Sequence, residues 1–156
     1  MTLTGRRGLV ALTLGGLAVL AADSAVATPQ CYAVRFQVNT AGQVFDAATG
    51  LTWQQTPIAS AGDVMSWNVA TTKCTALGSG WRLPSVKELQ TIVDDTTSAP
   101  AINLAAFPGV GSSDSYWTSS PDPATPGNYY TVWFSDGTTG SRDGFIRQDI
   151  WVRCVR

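Results

Sequence analysis

The sequence contains no histidine. That removes the Ser-His-Asp and Cys-His nucleophile arrangements and the usual zinc centres, which draw on an imidazole. Glutamate is almost as scarce, since Glu88 is the only one. Glycoside hydrolysis normally needs two carboxylates around the scissile bond, so aspartates would have to supply that pair. The closest two in sequence, Asp94-Asp95, fall where a helix is expected to end and read as a solvated helix exit. Charged residues make up only 13% of the chain, with a formal net charge of −1. Nothing in that balance suggests a nucleic-acid footprint. The chain also lacks an internal repeat, a low-complexity linker and an apolar run of membrane-spanning length.

What the chain does have begins at its start. The apolar run Leu9 to Ala22 follows Arg6-Arg7 and precedes Ala25-Val26-Ala27. A basic start, a short apolar centre and a small-x-small end define a secretory signal peptide, expected over residues 1–27. Arg6-Arg7 also fits a twin-arginine signal loosely, which leaves the export route open. Residues 28–156 are then expected to form one exported domain, periplasmic, cell-surface or extracellular, with no stable membrane span after cleavage. That stretch carries eight basic and ten acidic residues, a net of −2. Six tryptophans and few charges suit a strand-rich exported fold.

An exported chain permits disulfides, and the three cysteines are Cys31, Cys74 and Cys154. An odd number leaves one free or available to a second chain. The expected pairing is Cys74–Cys154, which would tie a helix to the last strand across a loop of about 80 residues. In the chain-entropy model it stabilises by about 4–5 kcal/mol. Cys31–Cys154 is the alternative if the first and last strands are neighbours. An unpaired Cys31 would offer a route to a homo-oligomer.

The most informative stretch is Gly80 to Leu89. Pro84 biases Leu83 toward extended backbone. Ser85 and Glu88 have the spacing of a capping box, which starts a helix at Val86. That helix is expected to run to about Asp94, with Val86, Leu89 and Val93 on one face. An earlier helix is expected from Ser66, with Asp63 the competing cap and Trp67, Ala70, Cys74 and Leu77 as its stripe. Strands are expected at 33–38, 43–46 and 51–54, separated by turns. The first puts Val34, Phe36 and Val38 on one face. Further strands are expected at 116–120, 129–134, 138–141 and 150–155. Residues 95–115 read as a long irregular loop with a helical turn at 102–107, unusual in a compact domain unless it is functional.

Three pieces of sequence carry a family resemblance. The first is Gly42-Gln43-Val44-Phe45-Asp46-Ala47-Ala48-Thr49-Gly50-Leu51-Thr52-Trp53-Gln54. The second is Cys74-Thr75-Ala76-Leu77 with Gly80-Trp81-Arg82-Leu83-Pro84-Ser85-Val86-Lys87-Glu88-Leu89. The third is Tyr116-Trp117-Thr118-Ser119-Ser120 with the closing Val152-Arg153-Cys154-Val155-Arg156. In this order they resemble the DUF1566 family, also called the Lcl C-terminal domain after a collagen-like bacterial adhesin. The resemblance implies an exported bacterial α+β domain with a C-type-lectin-like fold: two helices packed on a twisted antiparallel sheet that joins the termini, with a long irregular loop region. That fold would explain both the long loop and a helix-to-last-strand disulfide. It makes Trp53, Trp81, Arg82, Pro84, Ser85, Glu88 and Trp117 structural motif residues. In the adhesin the domain is associated with sulfated glycosaminoglycan binding and trimerisation. This chain has no collagen-like segment and is negative after cleavage. The same fold class includes the formylglycine-generating enzymes, which resemble the Arg82-Leu83-Pro84 stretch but use a pair of active-site cysteines.

The remaining candidates for function are aromatics and donors near turns. Along Tyr129 to Phe134, Tyr130, Val132 and Phe134 are expected to face the core, with Tyr129, Thr131 and Trp133 opposite. An outward indole is a platform for a sugar ring, and burial under the 95–115 loop is the other expectation for Trp133. Arg142 and Arg147 sit near turns and can donate to a carboxylate or sulfate. Tyr129, Trp133, Arg142 and Arg147 are therefore the candidate ligand-binding residues. Asp136-Gly137 and Asp143-Gly144 suggest calcium on spacing but equally hairpin turns, so no metal and no cofactor is expected. The expected function is a non-enzymatic, exported binding module, adhesin-like, for a carbohydrate or other cell-surface ligand. The alternative is a structural or assembly module making protein–protein contacts in the cell envelope.

Overall fold

The computed structural model describes residues 35–58, 65–145 and 150–156. The expected signal peptide, Cys31, Asp63 and Arg147 lie outside these residues. The chain opens as an antiparallel meander, β1 (Phe36–Val38), β2 (Gln43–Asp46) and β3 (Leu51–Gln54), in that spatial order. Its two turns close on Gly42 at φ 70 and Gly50 at φ 73, a backbone region that disfavours any side chain. Val44 pairs with Trp53, so both point to one face, and both are fully buried. Val38 pairs with Val44 yet is 47% exposed. It ends the edge strand, beyond the reach of the core expected to cover it. Arg35 grips the buried Asp46 with two bonds of 2.8 Å and donates to the Thr91 carbonyl at 2.7 Å. Burial pushes the Asp46 carboxyl up, but the Arg35, Ala48 and Thr49 donors outweigh it and hold it below its usual value.

The second sheet is β4 (Ser115–Pro121), β5 (Asn128–Trp133) and β6 (Thr139–Asp143), again antiparallel in chain order. Successive strand residues point to opposite faces. Tyr116 and Trp117 are both fully buried, so the sheet is covered on both sides near β4. Tyr116, Val132 and Phe134 join one core with Val44, Trp53 and Phe107. Trp117 joins another with Met65, Ala70, Cys74 and Leu83. The first helix, α1 (Trp67–Thr75), feeds the second core. The second helix, α2 (Val86–Gln90), feeds the first through Leu89. The expected antiparallel pairing and two short helices are present, but the named strands divide between two three-stranded sheets.

Local chemistry explains where the helices depart from expectation. Ser66 stands at the α1 N-cap in extended backbone, without a side-chain cap bond. Leu77, expected on the buried stripe, lies past the helix end and is 44% exposed. The second helix ends at Gln90 rather than near Asp94. Thr91 Oγ1 donates to the Glu88 carbonyl at 2.7 Å, and the N–H groups of Ile92 and Val93 reach back three residues instead of four. Side-chain bonding of this kind competes with the helical ladder.

The irregular stretch 95–114 is not a surface loop throughout. Ala101 N–H donates to the Phe134 carbonyl at 2.6 Å, and Ala99 N–H to Ser135 at 2.9 Å. Those bonds lay the stretch beside the end of β5, where Ile102 and Phe107 enter the first core. The expected turn at 102–107 is a single i to i+4 bond from Phe107 N–H to Asn103, at 2.9 Å. The closing segment, expected as one strand, makes single bridges to several partners. Val155 bridges Trp53 and Arg82, Val152 bridges Ile58, and Trp151 bridges Tyr116 in parallel. It runs between both sheets and is stapled to α1 by the Cys74–Cys154 disulfide, with Cα atoms 5.4 Å apart.

Candidate functional site

The motif residues build a frame. Arg82 exchanges two backbone bonds of 2.9 Å with Val155. Its guanidinium holds both Glu88 oxygens at 2.7 and 2.8 Å. Glu88 in turn accepts the Ser85 N–H at 2.7 Å, and Ser85 Oγ accepts the Glu88 N–H at 3.2 Å, a complete capping box. The Arg82 bond foremost, against the opposing effect of burial, and then Ser85 hold the Glu88 carboxyl down at about 2. Trp53, Trp81 and Trp117 are all buried, with Trp117 Nε1 donating to Met65 O at 3.2 Å.

Arg153 is a charge inside the core that patterning did not anticipate. It is fully buried, and no carboxylate among the described residues pairs with it. Its Nη1 donates to the Gln54 carbonyl at 2.7 Å and to that of Gln55. Its guanidinium lies over the rings of Phe107 at 4.9 Å and Tyr116 at 5.8 Å. Burial pulls the guanidinium down to about 10 and pushes the Tyr116 phenol up to about 12.

The candidate binding strand lies on one face of β5 and β6. Tyr129 pairs with Arg142, and Thr131 with Gly140, so these residues and Trp133 point the same way. The face is only partly open. Tyr129 stacks on Trp67 of α1 at 3.9 Å and 9°, and Thr131 is fully buried. Trp133 is half-buried, with the Arg142 guanidinium 5.4 Å from its ring centre. The only described protein hydrogen bond of the Arg142 side chain goes to Ser141 O at 3.3 Å. Tyr130, expected in the core, is half-buried too. The structure thus brings Tyr129, Trp133 and Arg142 together.

A second feature is concave. Ala41, Gly42, Gln43, Gln54, Leu77 and Trp81 line a cavity of about 190 Å³. Gln43 and Gln54 are register partners on β2 and β3. Arg156 ties two walls together, donating to Gln43 Oε1 at 3.0 Å while its guanidinium sits 5.0 Å from the Trp81 ring centre. These residues are too far apart in sequence to form a recognisable pattern, although the register of the strands at 43–46 and 51–54 pairs the two glutamines.

The Asp-Gly pairs behave as turns. Asp136 Oδ1 accepts the Thr138 N–H at 3.0 Å, and Asp143 Oδ1 accepts the Phe145 N–H at 2.8 Å. Among the described residues, no three Asp, Glu, His or Cys side chains converge as metal ligands. Nor is any described helix long and apolar enough to cross a membrane.

Two antiparallel sheets, two short helices and a disulfide that fastens the closing segment to α1 define a small disulfide-linked α+β domain. The chain belongs to the Lcl C-terminal domain family, whose sequence model matches residues 42–156. No curated protein and no solved structure matches it.

Proposed function

We propose that this chain is an exported, non-enzymatic binding domain with a C-type-lectin-like architecture. In this reading residues 1–27 direct export, and residues 28–156 recognise a carbohydrate at the cell surface or outside it. One observation carries it: the half-buried Trp133 indole, with the Arg142 guanidinium beside it on the β5–β6 face. An indole face packs against the C–H side of a sugar ring. A guanidinium with spare N–H groups donates to hydroxyl or carboxylate oxygens alongside. The absence of histidine and the single glutamate, already engaged by Arg82 and Ser85, support a binding rather than a catalytic role.

The test is polysaccharide pull-down or a glycan array with the wild type and Trp133→Ala. The expected outcome is binding that the substitution abolishes. Binding to no polysaccharide, or binding indifferent to Trp133, would remove the proposal.

The second reading, an envelope assembly module, is favoured by Phe145, which stands 75% exposed beside β6. A Cys31-linked dimer on non-reducing gels, or a dimer in solution lost in Phe145→Ser, would support it. A monomer throughout would count against it.

A further inference from the structure

The cavity between the β1–β3 meander and Trp81 differs in chemistry from the β5–β6 face. Its two carboxamides are oriented by their oxygens. Gln43 Oε1 accepts from Arg156 Nη2 at 3.0 Å and from Asn39 Nδ2 at 3.3 Å. Gln54 Oε1 accepts the Cys154 N–H at 3.4 Å. Both oxygens are occupied, and the Nε2 groups of the two glutamines make no hydrogen bond among the described residues. Gln43 and Gln54 are paired across β2 and β3, where side chains stand about 5 Å apart at Cβ, and both line the cavity. No Asp or Glu lines the cavity, and Arg156 adds a positive charge at its edge. The polar side chains therefore offer donors and a cation. Leu77 and Trp81 supply the apolar remainder. At about 190 Å³ the space is below the ~300–1,000 Å³ typical of drug-sized ligands.

We propose that this cavity is a binding site for an organic carboxylate carried on a small apolar body. The carboxylate accepts from Gln43 Nε2, Gln54 Nε2 and the Arg156 guanidinium, and the apolar body lies between Leu77 and Trp81. Charge-assisted bonds to a carboxylate are shorter and stronger than those to a neutral acceptor, so the site discriminates an acid from its amide. The site is separate from Trp133 and takes a different ligand class from the proposed glycan.

Phenylacetate is the probe, titrated at constant ionic strength into the purified protein and followed by NMR of the glutamine side-chain amides and the tryptophan indoles. The expected result is saturation with a Kd of about 1 mM. The shifts should centre on Gln43, Gln54 and Trp81, and phenylacetamide should bind at least about tenfold more weakly. Gln43→Glu, which keeps the side-chain size and sets a like charge against the ligand, should weaken phenylacetate at least about tenfold. If that variant does not fold, Arg156→Gln carries the same expectation. N-acetylphenylalanine distinguishes two sources of the carboxylate. Tighter binding than phenylacetate assigns the end of a peptide, and weaker binding assigns a free acid. Equal binding of the amide, indifference to the substitutions, equal shifts with inorganic sulfate, or no saturation by about 10 mM would overturn the proposal.

Discussion

Trp133 and Trp81 each lie beside an arginine guanidinium, Arg142 at 5.4 Å and Arg156 at 5.0 Å, but the two pairs are assembled differently. The Trp133 pair belongs to a single hairpin. Strand register on β5 and β6 is enough to put indole and guanidinium on one face. The Trp81 pair joins residues from the first sheet, the turn after α1, the Gly80–Leu89 stretch and the closing segment. The first pair is local and lies on a pleated surface. The second exists only when distant parts of the chain have closed, and closure is what makes it concave. The same two side-chain types thus yield a platform in one place and a cavity in the other.

The strongest way to break this comparison is to open the closure. The double substitution Cys74→Ala and Cys154→Ala should cost about 4–5 kcal/mol in the chain-entropy model, read from urea unfolding. Under conditions where that variant still folds, phenylacetate binding should fall before Trp133-dependent binding does. An equal loss at both sites would show that the hairpin is not autonomous. Arg153→Ala should cost about 3 kcal/mol, by leaving a cavity and depriving the Gln54 and Gln55 carbonyls of their donor. It should also weaken the Trp81 site more than the Trp133 site, because Gln54 lines the first.

The smallest effect sharpens the comparison by touching the frame alone. Glu88→Gln keeps a capping side chain but loses the ion pair with Arg82, at about 1 kcal/mol or less near neutral pH. The Glu88 carboxyl is depressed to about 2 from an ordinary 4.5, so its contribution is present above pH 4.5. It is lost as pH falls through about 2. Unfolding curves of the wild type and Glu88→Gln should therefore converge across that window, and a gap undiminished between neutral pH and about pH 2 would contradict the assignment.

How far the sequence reached follows from the range of each interaction. The Ser85–Glu88 capping box and the turns at Gly42 and Gly50 were legible because their determinants lie within a few residues. The Cys74–Cys154 pair is the expected one, with Cys31–Cys154 its rival in the sequence. The second helix was read too long because Thr91 bonding to a carbonyl leaves no trace in hydrophobic spacing. Arg153 was not recognised as buried because its acceptors, Gln54 and Gln55, stand 99 and 98 positions away. For the candidate site, strand alternation put Tyr129 and Trp133 on one face, whereas Arg142 stood out only by its place near a turn, since the strand expected at 138–141 in fact runs to Asp143. The Trp67 ring that occupies Tyr129 comes from another element and was not legible. The cavity was not legible because, apart from residues 41–54, its walls come from stretches far apart in sequence.

The bridges from Val155 to Trp53 and Arg82, and from Trp151 to Tyr116, have a consequence for biosynthesis. Residues 151–155 supply contacts that the earlier segments do not make with one another. A nascent chain can form its two meanders early, but these bridges wait until residue 155 has emerged, so the two sheets are joined later than they are made.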